Sequence, residues 1–385
     1  MKKKREKVLV CMSGGVDSSV TAALLVRAGY DVTGAYMKQW SDTQDINGVC
    51  TWKNDRRNAI RVAAHLNIPL ITLDFEAEYK KWVTEYMFAE YKAGRTPNPD
   101  VLCNKYIKFD AWLKKAKELG FDYMATGHYA RIGKSELGKE KQLLLAKDTD
   151  KDQTYFLHQL SSKQLEHILF PLGDYTKPQV RKIAKDWNLP TASRPESMGI
   201  CFVGEVPMKD FLLQRIEKNP GDIVFSSGEK IGEHDGLAFY TVGQRGGLGL
   251  SSTSSLRGGT MRQFSDSKEI ATSLLRVPRK DENKPFYVLQ KNIEKNQLVV
   301  GYEDDPLMYS KEASLTDLHF ISGTPTLPLT CKVRLRHRQE LQDVILTEAN
   351  GNYLLHFKTS QKAITPGQFA VFYQNNVSLG GGVIS

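Results

Sequence analysis

Short apolar runs alternate with amphipathic stretches along the first half of the chain. Residues 7–12 form a β-type run that stops at Ser13-Gly14-Gly15, and residues 18–28 carry apolar positions at helical spacing, with Gly29 as a stop. Strand-like runs follow at 32–37 and 69–73, and helical patterns at 56–66 and 76–93. A proline-rich loop, 95–100, precedes a helix over 106–119 and a strand ending in Tyr123–His128. Strands separated by helices of this length predict a parallel sheet with right-handed crossovers, the doubly wound α/β class. In that class ligands sit at the carboxyl ends of the strands.

The pattern changes after about residue 203. Residues 207–217 predict one more helix, and from Pro285 onward short β-type runs dominate, at 286–289, 298–300, 331–335, 343–346, 353–357 and 369–373. Short strands with turn residues between them predict a small barrel or sandwich. Residues 251–283 are Ser/Thr-rich, mix both charge signs and lack periodicity, as in a surface insertion or linker. We therefore expect an α/β catalytic domain over 1–205, a small central domain over 206–284 and an all-β C-terminal barrel over 285–385, which suits a chain of 385 residues.

Composition narrows the class without deciding it. No apolar run reaches the roughly 20 residues a membrane span needs. The basic start, Met1 to Arg5, is followed by an apolar stretch too short for a secretory core of ~7–15 residues, so the cytoplasm is expected. A formal charge of +9 favours polyanionic partners. The five cysteines, Cys11, Cys50, Cys103, Cys201 and Cys331, are odd in number and never spaced Cys-x-x-Cys. Neither a disulfide scaffold nor a zinc knuckle is indicated.

Two features carry chemistry. The first is Ser13-Gly14-Gly15-Val16-Asp17-Ser18-Ser19, between a strand and a helix. Paired glycines let backbone N–H groups approach an anion, and the helix start adds its dipole, so the loop suits a phosphate or pyrophosphate. It is neither a Walker A loop nor Gly-x-Gly-x-x-Gly. It resembles the PP-loop of ATP pyrophosphatases, which split ATP between the α and β phosphates; Asp17 would then help to hold Mg²⁺. The second feature is Asn98-Pro99-Asp100-Val-Leu-Cys103, which opens a helix. A thiol near a helix N-terminus gains thiolate character. Cys201 stands in a second glycine-containing segment, Ser197-Met198-Gly199-Ile200-Cys201-Phe202.

Behind the loop, in order, come Asn-Pro-Asp-x-x-Cys-Asn-x-x-Ile-Lys-Phe, Ala-Thr-Gly-His-Tyr-Ala-Arg, Lys-Asp-Gln-Thr-Tyr-Phe-Leu and Ser-x-Gly-Ile-Cys-Phe. With Phe170-Pro-Leu-Gly173, Thr241-Val-Gly-Gln-Arg245, Pro366-Gly-Gln368 and Leu379-Gly-Gly-Gly382, they resemble the tRNA-specific 2-thiouridylase family over nearly the whole chain. The resemblance implies ATP-dependent 2-thiolation of the wobble uridine in tRNAs for Glu, Gln and Lys, with sulfur from a cysteine desulfurase or relay protein. Cys201 would carry a persulfide. Cys103 would either attack it, releasing sulfide and leaving a disulfide, or resolve the product after the persulfide attacks the base.

The same resemblance implies that Asp100 accepts a proton or positions the uracil, and that Asn98 and Pro99 contact the target base. ATP would be bound by Cys11, Met12, Ser13, Gly14, Gly15, Val16, Asp17 and Ser18, bordered by Met37 and Gly127. His128, Lys151, Asp152, Gln153, Arg336, His337 and Gln368 would meet tRNA. Arg334, Arg336 and Arg338 alternate along a predicted strand and would line one face for phosphate contacts. The chain departs from the family at Gly246 and Gly247, where a basic residue is usual after Gln-Arg, and in the length of 251–283.

Three other readings compete. A PP-loop synthetase acting on a small molecule would need neither Cys103 nor Cys201. A tRNA sulfurtransferase using an iron–sulfur cluster would need the missing Cys-x-x-Cys. A non-catalytic RNA-binding protein would have no use for an intact loop.

Overall fold

Val8, Leu9 and Val10 are fully buried, and their continuous burial makes the first strand the centre of a sheet covered on both faces. Val8 and Val10 pack with Ala22, Leu25, Ala59 and Val62, whereas Leu9 faces Ile107, Phe109 and Trp112. The computed structural model describes residues 5–38, 51–135, 140–195, 207–248 and 284–385. In it the sheet contains β1 (Lys7–Cys11), β2 (Asp31–Lys38), β3 (Leu70–Asp74) and β4 (Tyr123–Ala125). A hairpin, β5 (Arg131–Lys134) and β6 (Lys141–Leu144), leaves the sheet before the short β7 (Ile168–Leu169) closes it. The order is β3-β2-β1-β4-β7, with every pair parallel, as the doubly wound pattern predicts. The order reverses between β1 and β4, which makes their carboxyl ends the expected crevice.

Two helical segments widen where the sequence pattern gave no sign of it. The stretch 76–92 passes through a π-helical turn at Lys80–Thr84, and 99–118 through a longer one at Cys103–Trp112. The second helix begins at Pro99, ahead of the start expected at 106, because Asn98 caps it and proline suits its first turn.

The central sheet has the order β10-β11-β8-β9, formed by β8 (Gly221–Phe225), β9 (Lys230–His234), β10 (Tyr287–Asn292) and β11 (Gln297–Gly301). β10 and β11 were expected in the C-terminal unit. They pair here instead, β11 running parallel to β8 over a core of Ile223, Val288, Leu298 and Val300. The insertion 251–283 lies outside the described residues.

The remaining strands are β12 (Tyr309–Phe320), β13 (Leu329–Arg334), β14 (Gln342–Ala349), β15 (Asn352–Lys362), β16 (Phe369–Gln374) and β17 (Val377–Ile384). They run β12-β15-β14-β13-β16-β17, and β17 returns to pair with β12, which closes a six-stranded antiparallel barrel. The β5–β6 hairpin extends this barrel sheet through β17. Phe369, Val371 and Tyr373 share one core with Leu143, Tyr155 and Leu157 of the first domain. Among the described residues no helix is long and apolar enough to cross a membrane.

His158 is sealed at that junction. Its Nδ1 lies 2.7 Å from the Tyr155 carbonyl, and its Nε2 is buried without a hydrogen-bond partner. Burial pushes its pKa down to about 3, while Tyr155 pulls weakly the other way. The unfolded chain therefore takes up a proton, near pH 6.5, that the folded chain refuses until about pH 3, so stability falls as pH falls through that window. From pH 7 to 5 this group should cost roughly 2 kcal/mol. Urea unfolding of wild type and His158→Gln at both pH values checks this: the variant should lose correspondingly less, and equal losses would contradict it.

Candidate active site

The loop after β1 sits in the predicted crevice and opens α1 (Val16–Arg27). Gly14 has φ +78°, and a Cβ there would lie 2.3 Å from the Asp55 carbonyl oxygen. Ser13, Ser18 and Ser19 shape the turn from within. The Gly15 N–H donates to Ser13 Oγ at 3.3 Å, while Ser18 Oγ and Ser19 Oγ donate to the Gly15 carbonyl at 3.1 and 2.7 Å. Gly15 is the N-cap and supplies no side-chain cap, so the first N–H groups of a 12-residue helix are left for an anion. Gly127, after β4, approaches so closely that a Cβ would lie 2.9 Å from the Ser18 nitrogen. This backbone cradle fits a phosphate group.

Two cations that the sequence reading missed brace the loop. Arg194 donates to the Gly14 carbonyl at 2.6 Å and pairs with Asp55. Lys177 Nζ lies 2.8 Å from both carboxylate oxygens of Asp17, and Tyr129 Oη donates to the same carboxylate at 3.0 Å. Asp17 was expected to hold Mg²⁺, but it is already matched by a lysine. Among the described residues no group of three or more His, Cys, Asp or Glu could hold a metal. These side chains do not by themselves fit that ion.

Other residues assigned to the nucleotide are core by their side chains. Met12, Val16 and Met37 are 1%, 3% and 5% exposed, so only their backbones can border a ligand. Burial pushes the Cys11 thiol far up, with Lys108 acting in the opposite direction.

The helix 99–118 leads into β4, so its start lies at the same carboxyl edge of the sheet as the loop. Asn98 Oδ1 accepts from the Val101 N–H at 3.4 Å, Pro99 fills the first helical position, and Asp100 lies half-buried beside it. Cys103 stands one position beyond the first turn, where the dipole fades. It is fully buried in the core shared with Tyr155 and Leu157. Its expected partner, Cys201, lies outside the described residues, as do Cys50 and the rest of the 197–202 segment. Cys331 is buried in the barrel core.

The barrel grips the approach to this helix. The Thr96 N–H donates to the Pro366 carbonyl at 2.9 Å. Gln368 Nε2 donates to the Thr96 and Pro97 carbonyls at 2.8 and 3.3 Å, and its Oε1 accepts from Asn98 Nδ2 at 3.4 Å. Gly367, at φ +89°, leaves no room for a Cβ, which would lie 2.9 Å from the Thr96 nitrogen. Gln368, expected on the tRNA surface, is thus spent on the Asn98 loop.

Several other expected tRNA contacts are also committed inward. Asp152 is 2% exposed; it accepts from the Ala146 N–H at 2.8 Å and pairs with Arg334 at 3.1 Å. Burial raises its pKa against the pull of those partners. Gln153 Oε1 accepts from the Tyr129 N–H at 2.9 Å. His128 bonds Thr126 at 2.7 Å between Phe109 and Phe170, and burial, aided by Lys108, lowers its pKa well below the usual imidazole range. His337 lies 4.5 Å from the Phe156 ring; burial lowers it to about 4, with Arg338 and Arg334 adding to the shift.

The expected arginine stripe is not continuous. β13 ends at Arg334, which is bound to Asp152. Arg336 donates to the Val242 and Ala363 carbonyls, each at 3.0 Å, and so ties the central domain to the barrel. Arg338, at φ +65°, is exposed in the turn beyond, and it lines a cleft of about 430 Å³ with Lys151 and Arg334.

A parallel α/β domain with a glycine loop at its switch point, a small β domain and a closed antiparallel barrel together define the class of three-domain α/β proteins to which the chain belongs. Profiles described as a tRNA methyl transferase HUP domain, a PRC-barrel domain and an aminomethyltransferase β-barrel domain match residues 6–205, 209–302 and 310–384. A protein of Streptococcus agalactiae serotype III named tRNA-specific 2-thiouridylase MnmA is 45% identical over 381 residues, 98% of this chain and 95% of its own. One of the same name from Shouchella clausii is 45% identical over 387 residues, 99% and 98% of the two chains. A 4-thiouridine synthetase solved with RNA and bound ATP aligns at TM-score 0.33 and 15% identity, over 54% of this chain and 50% of its own. The chain belongs to the tRNA-specific 2-thiouridylase family and is an enzyme of tRNA thiolation.

The brace on the loop can be tested without turnover. Arg194→Met removes the bond to Gly14 and should weaken pyrophosphate binding roughly tenfold, the equivalent of one lost charged hydrogen bond. Calorimetric titration checks this, and an unchanged affinity would show that Arg194 serves only Asp55.

Proposed function

We propose that the chain 2-thiolates the wobble uridine of tRNA, drawing on ATP to activate the base and on a cysteine persulfide for sulfur. The observation that carries this reading is the meeting of two elements at one edge of the sheet: the uncapped start of α1 and the start of the Cys103 helix. Lys108, on the Cys103 helix, acts electrostatically on Cys11 at the end of β1 and on His128 beyond β4. The cytoplasm is the compartment this reading assigns, with tRNAs for Glu, Gln and Lys as substrates.

The C2 carbonyl of uracil is urea-like and a poor electrophile. ATP supplies an adenylyl group to the C2 oxygen with release of pyrophosphate, and Mg²⁺ would arrive with the nucleotide. The loop N–H groups hold the phosphates, and the Gly14 and Gly127 approaches fix how close they come. Asn98 and Pro99 border the target base, and Asp100 takes or steers its proton. Sulfur then adds at C2 and AMP departs with the former C2 oxygen, which is sound chemistry for a soft nucleophile. Cys201 delivers the sulfur after charging by a desulfurase or relay protein; Cys103 attacks the Cys201 sulfur, either expelling the outer sulfur as sulfide or freeing the thiolated base after the persulfide has attacked it, and each route leaves a Cys103–Cys201 disulfide. In both routes Cys103 has to be uncovered, since it is fully buried at rest.

The test is mass spectrometry of nucleosides after incubating unmodified tRNA, ATP, Mg²⁺ and a persulfide donor with wild type, Cys103→Ser or Cys201→Ser. We expect 2-thiouridine only from wild type and only with ATP, with losses above a hundredfold in either variant. AMP and pyrophosphate formed on a small molecule, with no thionucleoside, would overturn the tRNA reading and leave the loop reading intact.

A further inference from the structure

A carboxylate in a phosphate loop is an obstacle unless its charge is cancelled. Asp17 stands in the first turn of α1, two residues past the Gly15 N-cap, where it competes with any incoming anion for the helix dipole. The only cation bonded to it among the described residues comes from another element. Lys177 begins the helix Lys177–Asp186, and its backbone N–H is anchored to Asp148 Oδ2 at 2.7 Å. Its Nζ lies 5.6 Å from the Tyr129 ring centroid, and its side chain is 11% exposed. Tyr129 Oη donates to Asp17 as well, so the carboxylate is held from two sides.

We propose that Lys177 is a positioning residue that neutralises Asp17 and thereby makes the loop receptive to a polyphosphate; this rests on the reading that the loop binds ATP. The pair carries no net charge, and the N–H groups of α1 then present an uncompensated positive end to the ligand. Geometry supports a fixed pair. Gly127 packs within contact distance of the Asp17 and Ser18 backbone, and the Lys177 ammonium grips both carboxylate oxygens from a helix start that is itself tied down. Without Lys177 the full negative charge of Asp17 faces the phosphates at short range, where salt screens little.

Equilibrium dialysis with radiolabelled ATP and with pyrophosphate, in EDTA and again in Mg²⁺, on the full-length chain provides the test. In EDTA, Lys177→Met should weaken both ligands at least tenfold, and Lys177→Arg should bind within about threefold of wild type. Asp17→Asn should bind as tightly as wild type or tighter. The double variant Asp17→Asn/Lys177→Met should return to within about threefold of wild type, since with the negative charge gone the lysine has nothing left to cancel. In steady-state thiolation, Lys177→Met should raise KM for ATP more than it lowers kcat. A double variant as weak as Lys177→Met would mean that Lys177 touches phosphate itself or only shapes the helix, and would overturn the proposal. Unchanged affinity in Lys177→Met, with a wild-type melting temperature, would overturn it too. Absence of ATP binding by the wild type would instead overturn the reading of the loop.

Discussion

The grip of the barrel turn Pro366-Gly367-Gln368 on the backbone of Thr96, Pro97 and Asn98 is the constraint on which the rest of the site depends. A proline-rich segment cannot form a ladder of its own, and its carbonyls need donors from elsewhere. Gln368 supplies two, and the Pro366 carbonyl takes the Thr96 N–H. Thr96 Oγ1 also lies 3.2 Å from Thr241 Oγ1, so the central domain meets the same segment. All three units therefore fix where the helix carrying Asp100 and Cys103 begins. The hairpin β5–β6, the Asp152–Arg334 pair and Tyr155, whose hydroxyl donates to the Leu335 and Phe369 carbonyls, bind barrel to sheet over a wide front.

A second theme is cancellation of charge around a backbone anion site. The loop contributes no lysine of its own, unlike a Walker A loop. Its positive character comes from peptide N–H groups, and its one acidic side chain is offset by Lys177. Arg194 similarly pairs with Asp55 while it donates to the Gly14 carbonyl. The helix that carries Cys103 starts at the same edge of the sheet, with its thiol buried in the apolar core.

Local physics made part of this legible in the sequence. The apolar run at 7–12 read as a β-type strand, and Ser13-Gly14-Gly15 between strand and helix suited an anion, with a plain glycine turn as the alternative. The segment from Asn98 to Cys103 was legible as the opening of a helix, although the periodic pattern placed the body of that helix only from 106. What stayed hidden was tertiary. Lys177 and Arg194 meet Asp17 and Gly14 from 160 and 180 residues away, and nothing in their neighbourhood marks them. Alternation told that Arg334 and Arg336 leave one face of a strand, but not that Asp152 and the carbonyls of Val242 and Ala363 would absorb them. The π-helical turn at Cys103 and the docking of β10 and β11 on β8 arise from packing between segments and leave no periodic trace.

The proposed reaction rests on one chemical claim, that the C2 oxygen of the uridine leaves bound to AMP. Thiolation of tRNA synthesised with ¹⁸O at uridine O2, followed by mass spectrometry of the released AMP, tests it directly. The account predicts one ¹⁸O atom in AMP for each 2-thiouridine formed. Unlabelled AMP accompanying thiolated tRNA would contradict it, since the oxygen would then have left without adenylation.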